Sequence, residues 1–188
     1  MDTMYDDKCE WARMPSSKDS KLLYFTKNEV FSSKKEQRKI ANTNEKKWGN
    51  KMINSNYNNK QWTTKLGEQL VKDALEKNGK TVWRPKCMGN MKPDWETNDA
   101  IWEVKTRNWT TSGTAGEKIL GTPYKYANVP SLYGKPLKIV CVAFQEYEAI
   151  HMFGLFGGDK MTLGRQKQID MWKTLDIEFI KFTSLING

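Results

Sequence analysis

A single histidine, His151, in 188 residues leaves almost nothing from which to build a zinc centre, because such centres cluster Cys and His at short spacing. Cysteine is scarce too: Cys9, Cys87 and Cys141 are odd in number and far apart, which excludes a disulfide framework. Cys141, inside "LKIVCVAF", reads as a small buried hydrophobe. No run approaches the roughly 18 to 20 apolar residues of a membrane-spanning helix. The opening stretch "MDTMYDDKCEWARMP" is acidic and has no apolar core of a secretory signal. A soluble, cytoplasmic protein of a reducing compartment is therefore expected. "FGGDK", residues 156–160, is glycine-rich but lacks the spacing of a phosphate-binding loop, so no nucleotide cofactor is expected. No basic helix with a strongly apolar face stands out, which makes a membrane-surface role the weakest option. No internal repeat is visible.

What the chain does have is positive charge, a formal net of +9. Such a balance favours polyanionic partners, nucleic acid first. It is unevenly spread: residues 1–60 carry a net +5 and residues 101–139 a net +4, while residues 140–188 carry −1. Residues 1–60 are rich in Lys, Asn and Ser, and no sustained apolar periodicity ties them to a core. They read as a basic N-terminal arm, either solvated or laid along a phosphate backbone with aromatics free to stack.

From residue 61 a core domain is expected to run to residue 188. "TKLGEQLVKDALEKNG" places Leu66, Leu70, Val71, Ala74 and Leu75 at helical spacing and ends at Asn78-Gly79. "TVWRP", "MKPDWE" and "AIWEVKTR" read as strands, the last two joined through "TND". A helix is expected near 114–128, opened by cap-competent Ser112 and Thr114 and interrupted at Gly121–Pro123. "LKIVCVAFQ" reads as a buried strand, "LGRQKQIDMWKTL" as a helix and "DIEFIKFTSL" as a final strand. This order predicts a mixed α+β fold, a central mixed sheet flanked by helices.

"KPDWETNDAIWEVKTRNW", residues 92–109, carries the chemistry. Alternation along a strand puts Glu103 and Lys105 on one face and Trp102, Val104 and Thr106 on the other. Asp94 precedes the turn. Glu68 falls about 200° around its helix from Leu66, at the border of the apolar stripe. Three carboxylates and one lysine can therefore meet at one edge of the sheet. Two carboxylates from adjacent strands form a half-shell for a hard cation such as Mg²⁺, with waters completing it. A lysine on the same face can hold or deprotonate an attacking water and stabilise charge on a phosphate. The bland alternative is an ion pair on an exposed strand edge.

Pro93-Asp94, eight intervening residues, then Glu103-Val104-Lys105 resembles the motif of the PD-(D/E)XK nuclease superfamily. The expected element order resembles that superfamily's restriction-endonuclease-like αβββαβ core, and Glu68 matches its additional helix glutamate. "GTAGEKILGTPYKYANVPSLYGKPLKIVC" is similar to the segment after the active strand in certain type II restriction endonucleases, with Glu117 and Lys118 starting a flanking helix. The resemblance implies a Mg²⁺-dependent endodeoxyribonuclease, with Mn²⁺ able to substitute, cutting double-stranded DNA at a specific site as a homodimer. Asp94 and Glu103 would bind the metal, with the Val104 carbonyl a further ligand; Lys105 would position water, and Glu68 would assist through a water of the metal's shell. Arg107, Lys118, Lys125 and Lys135 form the expected phosphate-contacting set. Asp6-Asp7-Lys8, Asp19-Ser20-Lys21 and Glu45-Lys46-Lys47 repeat the acid-x-lysine spacing, but none lies in an apolar strand or follows a Pro-Asp. A structure-selective junction or repair nuclease, and a non-catalytic nucleic-acid-binding module, stay open as alternatives. His151, Trp83, Trp95, Trp102 and Trp172 read as packing residues; Trp109 and Tyr124 read as packing residues within reach of DNA.

Overall fold

The structure, a computed structural model, describes residues 3–14, 32–55, 60–110 and 114–187. Ser112 and residues 15–31 and 56–59 of the expected arm lie outside them. A four-stranded mixed sheet runs in the order β1 (Trp95–Glu96), β2 (Ile101–Arg107), β3 (Leu137–Ala143) and β4 (Ile177–Lys181). β1 and β2 are antiparallel, with Trp95 opposite Trp102; β2 and β3, and β3 and β4, are parallel. The helices are α1 (Thr3–Ala12), α2 (Lys34–Met52), α3 (Trp62–Lys77), α4 (Thr122–Lys125), α5 (Val129–Tyr133), α6 (Phe144–His151), α7 (Leu163–Thr174) and α8 (Phe182–Leu185). A 3₁₀ helix spans Thr114–Ile119. Among the described residues no helix is long and apolar enough to cross a membrane.

Alternation along the strands builds two cores. Trp102 and Val104 of β2 and Val140 and Val142 of β3 face α3, where Leu66, Leu70, Val71, Ala74 and Leu75 are all buried. On the other face Ile101, Ile139, Cys141 and Ile177 pack beneath Ile119, Tyr126 and Val129. α3 reaches β2 at its closest where it lacks a side chain. A Cβ on Gly67 would overlap the Thr106 hydroxyl and lie 2.7 Å from the Thr106 Cβ.

Several elements differ from expectation. "TVWRP" does not form a strand; Trp83 makes one isolated bridge to Glu96, since Pro85 has no N–H with which to extend a ladder. The helix expected at 114–128 is two short pieces, the 3₁₀ turn and α4, interrupted near Gly121 as expected, and α5 follows beyond it with Pro130 in its first turn. α6 had no sequence signal, because its inward residues include Gln145, Glu146 and Glu148, all buried. α7 forms as expected but buries none of its residues, and Leu163 stands 73% exposed.

The described parts of residues 1–60 do not form a solvated arm. Trp11 is 1% exposed and, with Cys9, Ala12, Met14 and Met52, joins the core that contains Trp62 and Leu66. Trp11 packs against the Trp48 and Trp62 rings, their centroids 5.6 and 5.9 Å away. A few tryptophans bury as much area as a longer aliphatic stripe, so counting periodic positions misses them. Glu45 is completely buried and fastens this layer to the residues after β2. It accepts from the Trp11 indole (2.9 Å), the Trp109 and Thr110 amides (2.8 and 3.0 Å) and the Thr110 hydroxyl (2.6 Å).

Two substitutions test this packing. Gly→Ala inside a helix ordinarily gains about 0.5–1 kcal/mol, but overpacking costs about 1–3 kcal/mol. Gly67→Ala should therefore lower stability in urea melts, and a stabilised variant would contradict the close approach. Trp11→Ala should cost about 3–5 kcal/mol; a loss within error would mean the N-terminal helix is not part of the core.

Candidate functional site

The hairpin of β1 and β2 brings the two sequence-predicted acids together. Trp95 pairs with Trp102, so continuing the register one step sets Asp94 opposite Glu103. Asp94 Oδ2 accepts the Val104 N–H at 2.7 Å, and the Asp94 amide donates to the Trp102 carbonyl at 3.1 Å. The side chain of Asp94 thus occupies the place where a longer β1 would offer a backbone acceptor. The N–H and C=O of one strand residue point to the same side, so the Val104 carbonyl faces this edge as well.

Glu103 is 4% exposed and forms an ion pair with Lys105 on the same face. Its second oxygen, Oε2, is buried and meets no hydrogen-bond donor. Burial, then the charge of Glu103, raises the Asp94 carboxyl from 3.8 to about 7; Glu68 adds to the rise, while the Val104 amide and Lys105 oppose it. Glu68 reaches this neighbourhood from α3, held at 2.6 Å by Arg84, whose guanidinium also donates to the Asp94 carbonyl at 2.9 Å. All four residues expected at the site are therefore brought together.

Two further residues complete it. Arg84 lies flat over the Trp95 ring at 3.8 Å, and Tyr126 is buried beside Glu103 and Lys105. Burial and then the Glu103 charge push the Tyr126 phenol far above its usual range. Neither had a signal in the sequence: Arg84 sits in a segment with no ladder, and Tyr126 between two short helices with no periodicity.

The expected phosphate-contacting set divides. Lys118 and Lys125 are exposed, as are Glu117 and Tyr124, the last 82%, in segments whose Ile119 and Tyr126 pack over the same sheet face as Ile101 and Ile139. Lys135 is tied to Glu96 at 2.7 Å and to the Thr97 carbonyl at 2.9 Å. Arg107 does not belong to a surface track. It is buried, ion-paired with buried Glu148 and set over the Phe144 ring, because position 107 alternates inward beneath α6. Trp109 is also a packing residue, its indole donating to the Trp11 carbonyl at 2.7 Å. His151 rests on the Tyr147 ring at the end of α6, remote in sequence from the acids.

Among the described residues no three His, Cys, Asp or Glu side chains gather into a ready metal cage. Asp94, Glu103 and the Val104 carbonyl are a partial shell of hard oxygen donors. That suits Mg²⁺, which keeps several waters and takes one or two carboxylates plus substrate phosphate oxygens. The orphaned Glu103 Oε2 is the atom a cation would satisfy. No protein-family model matches the chain, and neither a curated protein nor a solved structure matches it.

The Asp94 carboxyl yields a pH prediction. Between 3.8 and about 7 the folded chain holds a proton that the unfolded chain has released, so this group makes stability fall as pH rises. Asp94→Asn keeps an acceptor for the Val104 amide and removes the charge. Its melting temperature should exceed the parent's by several degrees at pH 8 and match it near pH 4. A difference equal at both pH values would show that neither burial nor the Glu103 charge raises the Asp94 carboxyl.

Proposed function

We propose that this chain is a Mg²⁺-dependent endodeoxyribonuclease of the PD-(D/E)XK type, with the restriction-endonuclease-like core that its element order resembles. It hydrolyses phosphodiester bonds of double-stranded DNA at a specific site, and Mn²⁺ can replace Mg²⁺. Cutting both strands at a symmetric site calls for a homodimer, each subunit serving one strand. The observation that carries the reading is the pairing of Asp94 with Glu103. A half-buried carboxylate, Asp94, is held beside a buried one, Glu103, against their repulsion, with the Lys105 ammonium paired to Glu103 on the same face.

Asp94, Glu103 and the Val104 carbonyl would hold the ion. Bound there, Mg²⁺ supplies neutralisation of charge on the scissile phosphate and makes a water acidic enough to attack near neutral pH. Lys105, an ammonium already paired with Glu103, orients the attacking water and donates to the phosphate oxygen on which charge builds. Glu68, fixed by Arg84, accepts from a water at the border of the site. The charge of Asp94 is needed for the ion, so affinity for Mg²⁺ rises with pH through the neutral range. Exposed Lys118 and Lys125 lie on the approach and suit the flanking phosphates.

The test is digestion of supercoiled plasmid with Mg²⁺, with EDTA, and with Asp94→Ala or Lys105→Ala. Discrete fragments are expected from the parent with Mg²⁺ only, and at least about a hundredfold less cutting from either variant. A parallel melt in Mg²⁺ should stabilise the parent at pH 8 more than at pH 6, and leave Asp94→Ala unmoved. Undiminished cutting by both variants would overturn the assignment. DNA binding with no scission by any divalent ion would leave the acids as a structural ion-pair cluster.

A further inference from the structure

A cleft of about 570 Å³ opens on the α3 side of the site, between α1, the end of α2 and α3. Glu68, Arg84 and Trp95 form its inner wall, and Lys8, Lys65 and Gln69 line the rest. It adjoins the carboxylate cluster, because Arg84 in its wall pairs with Glu68 and donates to the Asp94 carbonyl.

Three cations line this cleft. Lys8 is 8% exposed and makes neither an ion pair nor a side-chain hydrogen bond among the described residues. Asp73 of α3 feels its charge, and the N–H donors of its ammonium are left for an occupant of the cleft. Lys65 is exposed on the α3 turn before Glu68. Arg84 is pinned by the Asp94 carbonyl, by Glu68 and by the Trp95 face, yet its side chain is 52% exposed. A guanidinium has five N–H donors in a planar fork, and those left over fit a phosphate. Three cations lining one cleft suit a strand with repeating phosphates, able to contact each in turn, better than one small anion.

We propose that this cleft holds the sugar-phosphate backbone of a nucleic-acid strand beside the carboxylates, with Lys8, Lys65 and Arg84 as its phosphate contacts. The choice of nucleic acid as occupant rests on the nuclease reading. The strand track on this side complements Lys118 and Lys125 on the other, so the cluster lies between two cationic margins.

The experiment measures anisotropy of a labelled DNA duplex in EDTA across a salt series. The proteins compared are the parent, Lys65→Gln, Lys8→Met and, as control, Lys173→Gln on exposed α7. Each lost backbone contact should reduce the slope of log K against log salt by about 0.9. Lys65→Gln and Lys8→Met should each show this reduction, and Lys173→Gln should not. Slopes unchanged in both cleft variants overturn the proposal. So does stabilisation of the parent by inorganic phosphate with the slopes unmoved, which would make the ligand a free anion. Because EDTA prevents cutting, the two readings fail separately. Altered slopes with no plasmid cleavage remove the nuclease and leave the cleft, whereas cleavage with unaltered slopes removes the cleft alone.

Discussion

Everything around the site depends on one hydrogen bond, from the Val104 amide to the Asp94 carboxylate. It ends β1 early and turns a strand residue into a side-chain acceptor. The Asp94 carboxyl is thereby lodged next to Glu103, and its titration is raised by burial first and by the Glu103 charge second. A fold selected for stability alone would have no use for the arrangement. Asparagine could accept the same amide without the charge.

The rest of the molecule explains how such a pair stays in place. β2 is gripped from both faces, by Leu66, Leu70 and Leu75 on one side and by Ile119 and Tyr126 on the other. The near-contact of Gly67 with Thr106 sets the distance between α3 and β2, and so the reach of Glu68 toward Asp94. Beyond β2, three other buried carboxylates act as fasteners. Glu45 gathers Trp11, Trp109 and Thr110. Glu146 accepts from the Thr183 amide and hydroxyl at 3.0 and 2.6 Å, securing the start of α8. Glu148 pairs with Arg107 close under Gly116, joining α6 to the 3₁₀ turn. Glu45 and Glu146 are satisfied by donors from distant elements, whereas Glu148 and Glu103 each keep one buried oxygen without a donor. Glu103 differs from Glu148 in having a second carboxylate, Asp94, opposite it across the strand pair.

The acid-x-lysine spacing illustrates the same point. Asp6-Asp7-Lys8 and Glu45-Lys46-Lys47 share it with Glu103-Val104-Lys105. Lys8 and Glu45 lie in helices and not in an apolar strand, yet neither is idle. Glu45 became a buried hub, and Lys8 a buried cation facing the cleft. Both lie in a stretch whose polar composition suggested solvent, since Trp11, Trp48 and Trp62 supply burial without any 3.6-residue rhythm.

Local pattern alone determined the α3 stripe, the alternation of β2, the buried run of β3 with Cys141 inside it, and the face shared by Glu103 and Lys105. Each is a matter of periodicity within a single element, which the backbone geometry of helices and strands imposes. Only the tertiary structure decided that Arg107 turns inward to Glu148, that Arg84 and Tyr126 join the acids, and that the N-terminal tryptophans enter the core. Those outcomes depend on which elements meet, and partners from 10 to 98 positions away in other elements leave no rhythm in the residues that bind them.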